Sequence, residues 1–431
     1  MPRGFHLIIG AQFASALADN ALLIVAIALL IEQGHPGWWA PLLKFCFTLA
    51  YVLLAPGVGV LADALPKGRL MMWMNLLKVV GVIGLLLGAQ PLLCFAIVGL
   101  GAAAYAPAKY GLITEIVAPE GLVRANAWIE VSVVCAALMG TVIGGFLVTE
   151  IWLTWSTPAP LGAAEPHLSG VASMLGLHTN YTTSLLALLA GYGLAAWLNL
   201  GIPDSGRRYP PVRLRGAVAL WALLSDFRAA NGVLWRDREG GLSLAVTTVF
   251  WGFGATLQFA VLRWATDHLN LRLDEAAYLQ AAVAIGVIAG AAWAGQGIAL
   301  TSANKVLPLG IALGLLVPAV GALGAWGGLW VAALGLGALG ALGGVLVVPM
   351  NALLQHRGYV LLTAGRSIAV QGFNENLSVL VMLAVYATLL ALDWPVLWIM
   401  TIWGLGIAAF MGALTWRWHR STPASAPAQS G

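Results

Sequence analysis

The sequence predicts an all-α polytopic membrane protein, with twelve transmembrane helices gathered into two six-helix bundles. Three observations predict it. The 431 residues are 60% hydrophobic and only 9% charged, with a mean hydropathy of +0.89, whereas soluble domains carry about a quarter charged residues. Apolar runs long enough to cross a hydrocarbon core of about 30 Å recur from residue 5 to residue 416. One long polar stretch divides these runs six and six, so the chain separates into residues 1–201, a central loop 202–241, and 242–431 with a short tail.

The first run, 5–31, is too long for a signal h-region and has no A-x-A-like cleavage site in a polar segment after it, so it reads as a retained helix. Runs 41–62, 70–89 and 91–117 follow, separated by the Gly, Pro and charge punctuation of EQGHPG, DALPKGR and QP. The fifth run, 126–149, precedes EIWLTWSTPAPLGAAEPHLSGVASMLGLHTN, which is mixed, Pro-rich and too broken to span. We expect a long loop over 150–180, with room for an interfacial helix of its own. The sixth run is 181–201, and the second half supplies 242–265, 276–298, 304–322, 327–352, 364–390 and 394–416.

Orientation follows from the basic residues, because short cytoplasmic loops retain positive charge. Sixteen of the 21 lie on one side: Arg3, Lys67, Arg69, Arg124, the arginines between 207 and 238, Lys305, Arg357, Arg366, Arg417 and Arg420. Both termini are therefore expected to be cytoplasmic. This distribution accounts for the net charge of +4, and the arginines of the central loop answer to topology and anionic lipid, not to nucleic acid.

Charge inside the spans is the functional signal, since a carboxylate at the centre of a bilayer costs roughly 2.5 to 3.5 kcal/mol on insertion scales and needs a partner, a water-filled cavity or a proton. The costly groups are Asp19, Lys44, Lys78, Lys109, Glu115, Glu130, Arg263 and Glu375. Lys44, Glu115 and Arg263 lie near span ends, where long side chains snorkel. Asp19 and Asn20 interrupt ALADNALL. Lys109, beside Tyr110, follows Pro107, a residue that frees backbone carbonyls and bends helices toward cavities. An ammonium there binds a lipid phosphate or pairs with a carboxylate on another helix. Glu130 lies four residues after Asn126 on one helical face, within reach of a network with Lys109 or Arg124. In the second half, Asn351 follows Pro349, and Gln371, Asn374, Glu375 and Asn376 crowd one span. This loose echo between the halves fits repeats with a site near their interface.

Several functions are excluded by what the chain lacks. The residues five places after the seven histidines are Ala11, Ala40, Ala172, Thr183, Leu273, Leu361 and Ala424, so the H-x-x-x-x-D pair of glycerolipid acyltransferases, a histidine base oriented by an aspartate, does not occur. No G-x-x-x-x-G-K-[ST] loop is present. The histidines all fall in loops or near span ends, which suits no proton relay at mid-membrane depth. Cys46, Cys94 and Cys135 lie in separate runs without a C-x-x-C pair. A transporter, with neither enzyme activity nor cofactor nor metal, is the expectation.

The loop GVGVLADALPKGRL, with Gly59, Asp63, Lys67, Gly68 and Arg69, resembles the signature G-x-x-x-D-[RK]-x-G-[RK]-[RK] of the major facilitator superfamily, its basic cluster one residue later than usual. That resemblance implies the major facilitator fold and a gating role for these five residues. ALADNALL, GAAAYAPAKYGLITE, VRANAWIE, VVPMNALLQHRG and AVQGFNENLSVL together resemble the bacterial lysophospholipid transporter family, over nearly the whole chain. The resemblance implies movement of lysophosphatidylethanolamine and related lysolipids across the inner membrane to the cytoplasmic leaflet, where an acyltransferase/acyl-carrier-protein synthetase re-acylates them. The polar residues inside the spans, taken together with this resemblance, give an expected head-group site at Asp19, Asn20, Lys109, Tyr110, Glu130, Gln258, Asn351 and Glu375. Two departures stand out. The 150–180 segment is longer than the family's turn, and Gln258 stands where the family's helix carries an arginine. Arg263, five residues on, lies roughly 140° round the helix from Gln258 and is no substitute on the same face. Proton-coupled efflux of a hydrophobic compound, with Asp19 or Glu375 as proton carrier, is the competing expectation.

Overall fold

A computed structural model describes residues 3–35, 39–156, 180–206, 209, 217–271 and 273–420. Among them the chain is helical throughout. The first half supplies α1 (Arg3–Glu32), α2 (Trp39–Ala64), α3 (Lys67–Leu86), α4 (Pro91–Ile116), α5 (Leu122–Leu147), the short α6 (Glu150–Ser156) and α7 (Thr182–Leu200). The second supplies α9 (Arg238–Leu269), α10 (Leu273–Gly297), α11 (Leu307–Leu361), α12 (Ala364–Ala391) and α13 (Val396–Arg420), with α8 (Ala217–Arg236) between the halves. Among the described residues twelve segments are long and apolar enough to cross a membrane, an even number that brings the start of α1 and the end of α13 to one face, here called the terminus face.

α11 accounts for two of the twelve. Its helical run is broken at Gly328, whose φ of 74° and ψ of −169° only glycine adopts without strain, so its first arm, led in by the 3-10 turn Leu300–Val306, crosses in the span Leu300–Gly324 and its second returns as Trp326–Leu361. The returning arm runs past the expected end at 352, to Leu361.

The central stretch differs from the expected loop. Residues 217–236 form α8, whose Ala230 and Leu234 pack with Leu244, Leu354 and Val370. The apolar residues of AVALWALLSDFRAANGVLWR recur at helical spacing, which gives the segment a face to bury despite its arginines. Of the 150–180 segment, α6 is described and 157–179 lie outside the described residues. α9 begins earlier than expected because the Asp237 carboxylate caps it, accepting from the Gly240 N–H at 2.7 Å.

Packing groups the helices by half. One apolar cluster joins α1, α2, α3, α4, α5 and α7 around Leu22, Val25, Phe95 and Tyr192. Another joins α9 to α13 around Trp264, Leu336 and Met400. The halves meet where α2 and α4 lie against α12, and where α5 lies against α10 and α11. Large side chains such as Trp73, Trp197, Val142 and Trp326 are exposed on the outer surface, as lipid-facing residues must be.

Candidate functional site

Between the halves lies a cavity of ≈ 240 Å³ lined by α1, α2, α3, α4, α5 and α12. Helical spacing brings each stripe to it: Gln12, Ser15, Ala16 and Asp19 on α1, Tyr51, Ala55 and Val58 on α2, Ala102, Tyr105, Ala106 and Lys109 on α4, and Ile368, Gln371, Gly372 and Glu375 on α12. Most of the wall is small or apolar, and its charges are few.

Asp19 is answered within its own half. Lys78 Nζ donates to Asp19 Oδ2 at 2.7 Å and Oδ1 at 2.9 Å, and to Ser15 Oγ at 2.9 Å, so its three N–H donors have three acceptors. Tyr192 Oη donates to Asp19 Oδ1 at 2.8 Å, and Ser15 Oγ donates to Asn75 at 2.8 Å. The rings of Tyr105 and Tyr192 each lie 5.6 Å from the ammonium. With the Lys78 side chain only 2% exposed, desolvation is offset by this full set of partners. In the sequence Lys78 is one of several costly mid-span charges, and nothing local ties it to Asp19.

Lys109 is placed differently. Its Nζ donates to Gln12 Oε1 at 3.0 Å and lies 4.1 Å from the Tyr110 ring centroid, so its close partners are neutral. Glu130, on α5, is buried as well. Gln12 continues through Nε2 toward Ser132 Oγ at 3.5 Å.

Of the expected residues, Asp19, Lys109, Tyr110 and Glu375 line the cavity, and four do not. Asn20 turns back, donating to the Ala16 carbonyl at 2.8 Å. Glu130 is buried on α5 and is not part of the cavity lining. Asn351 is buried one shell back, where its Oδ1 accepts from Gln371 Nε2 at 3.1 Å. Gln258 is exposed, and its backbone carbonyl accepts from Gln280 Nε2 at 3.0 Å; Arg263 is exposed too, pairing with Asp267 one turn on at 2.7 Å. Asn126 pairs reciprocally with Gln355 of the other half at 3.0 Å in both directions.

Below the cavity, at the terminus face, the signature loop joins the halves. The Asp63 carboxylate accepts from the Thr363 hydroxyl, from Gly365 N at 2.8 Å and from Arg366 N at 3.3 Å, so a side chain of α2 caps the first turn of α12. Gly59 makes this approach feasible: a Cβ there would lie 2.9 Å from both Arg366 Cα and Ala369 Cβ. Lys67 pairs with Glu115 at 2.7 Å, both side chains buried, and Glu115 also accepts from Ser205 at 2.5 Å and Tyr209 at 3.2 Å. Burial, and then the nearby Glu115 carboxylate, push the Tyr209 phenol above its ordinary value. Gly68 packs against the α7 end at Asn199 and Ile202, while Arg69 is exposed. The second half has its own clasps: Arg357 to Asp237 at 2.6 Å and Arg366 to Asp226 at 2.9 Å.

Comparison with known proteins agrees with this architecture. A family model described as the Major Facilitator Superfamily matches residues 8–377. The chain is 35% identical over 425 residues to a protein named lysophospholipid transporter LplT from Photorhabdus laumondii, covering 97% of this chain and 96% of that one. It is 39% identical over 404 residues to a protein of the same name from Yersinia enterocolitica, covering 92% and 90%. Among solved structures, the human organic anion transporter MFSD10 superposes with a TM-score of 0.69 at 14% identity, over 96% of this chain and 100% of that one. A bacterial homologue of the iron transporter ferroportin, in an outward-facing state, gives 0.67 at 14% identity over 97% and 100%. These two show the fold alone. Twelve spans in two packed halves, a clasp between α2 and α12, and relatives at this identity over nearly the whole length place the chain in the lysophospholipid transporter family of the Major Facilitator Superfamily.

Proposed function

We propose that this multi-pass membrane protein is a transporter, not an enzyme, that moves lysophospholipids, lysophosphatidylethanolamine among them, across the bacterial inner membrane. The direction in this reading is toward the cytoplasmic leaflet, with both termini on the cytoplasmic side. There an acyltransferase/acyl-carrier-protein synthetase re-acylates the product. The names of the relatives support the substrate class.

The observation that carries the reading is Lys109. It is a cation in the cavity wall whose close partners are the neutral Gln12 and the Tyr110 ring, whereas Lys78 is neutralised by Asp19. A buried ammonium without a close counter-ion favours an anionic guest, and a lipid phosphate is one. The small and apolar remainder of the wall suits an acyl chain. In this reading Gly59, Asp63, Lys67, Gly68 and Arg69 form the gate on the cytoplasmic side, and Asp19 organises the head-group site through Lys78, without touching the phosphate.

Proton-coupled efflux makes different demands. Asp19 is committed to Lys78 and Tyr192, which leaves Glu375 as the carboxylate available to carry a proton. The test is transport of labelled lysophosphatidylethanolamine between leaflets of liposomes holding the purified protein, with and without an uncoupler. We expect movement that the uncoupler leaves intact; collapse on uncoupling supports the antiporter, and no movement sinks the lysolipid reading.

A further inference from the structure

The second-half wall of the cavity holds a carboxylate that the ion pairs described so far leave out. Glu375, on α12, lines the cavity, and the hydrogen bond it accepts comes from a neutral group, Gln371 Nε2 at 2.8 Å. Among the described residues no lysine or arginine pairs with it. A carboxylate in this setting is costly unless a cation or a proton arrives.

Gln371, one turn earlier on the same stripe, carries a second and independent sign. It is 7% exposed, it lines the cavity, and its amide is half spent. Nε2 donates to Asn351 Oδ1 at 3.1 Å and to Glu375 Oε1 at 2.8 Å, while Oε1 has no donor among the described residues. Turning the amide over would set its oxygen against the Glu375 carboxylate, so the orientation is held. An unmatched buried acceptor costs about 1 to 3 kcal/mol. The wall of α12 therefore presents a charge without a counter-ion and a carbonyl without a donor, one turn apart. What both lack is a cationic group with several N–H bonds.

We infer that Glu375 and Gln371 form an ammonium subsite, taking the protonated primary amine of a zwitterionic lysolipid head while Lys109, on the first-half wall of the same cavity, takes its phosphate. This rests on the lysophospholipid reading above. A primary ammonium has three N–H donors and satisfies both acceptors. A quaternary ammonium has none, and a glycerol head has no positive charge. Lys109 stands on α4 and Glu375 on α12, so a head held at both ends bridges the halves, and only a head with both charges does so.

The test is head-group selectivity of purified protein in liposomes, with lysophosphatidylethanolamine, lysophosphatidylcholine and lysophosphatidylglycerol as probes. In Glu375→Gln we expect lysophosphatidylethanolamine movement, relative to lysophosphatidylglycerol, to fall about tenfold or more, the loss of one charge-assisted hydrogen bond, in protein whose elution profile and thermal midpoint match the wild type. Glu375→Asp retains the preference for the primary amine, and Gln371→Leu weakens it. Equal loss of all three lipids in Glu375→Gln, with the preference intact in Gln371→Leu, means that Glu375 serves a proton or packing, and overturns the subsite while transport stands. Wild-type protein that moves none of the three overturns the transport reading and the subsite together.

Discussion

Lys78 holds Asp19 at 2.7 Å, near the middle of α3 and α1, and both belong to the first half. The pair therefore sets the wall of the cavity without crossing it. Removing one member of a buried pair strands the other, at about 3 to 5 kcal/mol. We predict that Asp19→Asn and Lys78→Met each lower the thermal midpoint of the detergent-solubilised protein strongly, and that the double variant Asp19→Asn/Lys78→Met recovers most of the loss. Additive losses in the double variant would contradict an ion pair.

Asp63 caps α12 from α2, and the cap is severed whenever the halves part at the terminus face. Losing such a cap costs about 1 kcal/mol, a factor of about five in an equilibrium. In an Ala369→Cys background, Asp63→Ala is expected to raise labelling by an impermeant maleimide from the terminus face about fivefold. An unchanged rate would mean that the clasp holds nothing shut.

Gly59 tests the same face by steric means. Its Cβ would meet backbone of α12, whereas a Cβ at Gly57 meets nothing within 4 Å. Gly59→Val should force α2 and α12 apart and raise labelling of Ala369→Cys, with Gly57→Val as the silent control. Equal behaviour of the two valines would refute the close approach.

Asp237 gives a pH dependence outside the spans. The hydrogen bonds from Arg357, with the N-cap bond from Gly240, hold its carboxyl below the ordinary carboxylate value against a smaller opposing effect of burial. A group whose folded-state value is depressed contributes stability that is present above its unfolded value, about 3.9, and lost as pH falls through the folded one. Thermal stability of the wild type should fall on acidification below about pH 4 more steeply than that of Asp237→Asn. Parallel curves would show that Asp237 carries none of the acid sensitivity.

The fold was legible because span length and charge punctuation are local properties: each of the twelve expected runs overlaps an observed span. Two segments escaped for a physical reason. The arginines of 202–241 masked the helical spacing of Leu223, Phe227, Ala230 and Leu234, and the end of α11 continues past 352 because Gln355 and Arg357 find partners in Asn126 and Asp237. The site was half legible. A mid-span carboxylate announces that it needs a partner, but nothing local says which lysine supplies it, since 59 residues separate Asp19 from Lys78. Gln12, Tyr51 and Tyr192 carry no charge and gave no signal at all. The one available clue was that Lys78 lies mid-span, too deep to snorkel. Gln258 stands where the family's helix carries an arginine, but its own helix turns it outward.

The central claim is that a lysolipid head enters this cavity and meets Lys109. Leaflet-resolved movement of labelled lysophosphatidylethanolamine, in liposomes with wild type and with Lys109→Gln, tests it most directly. The account predicts rapid movement in the wild type and a loss of about tenfold or more in a folded Lys109→Gln, the size expected for a charge-assisted contact with phosphate. Equal rates in the two proteins would contradict it.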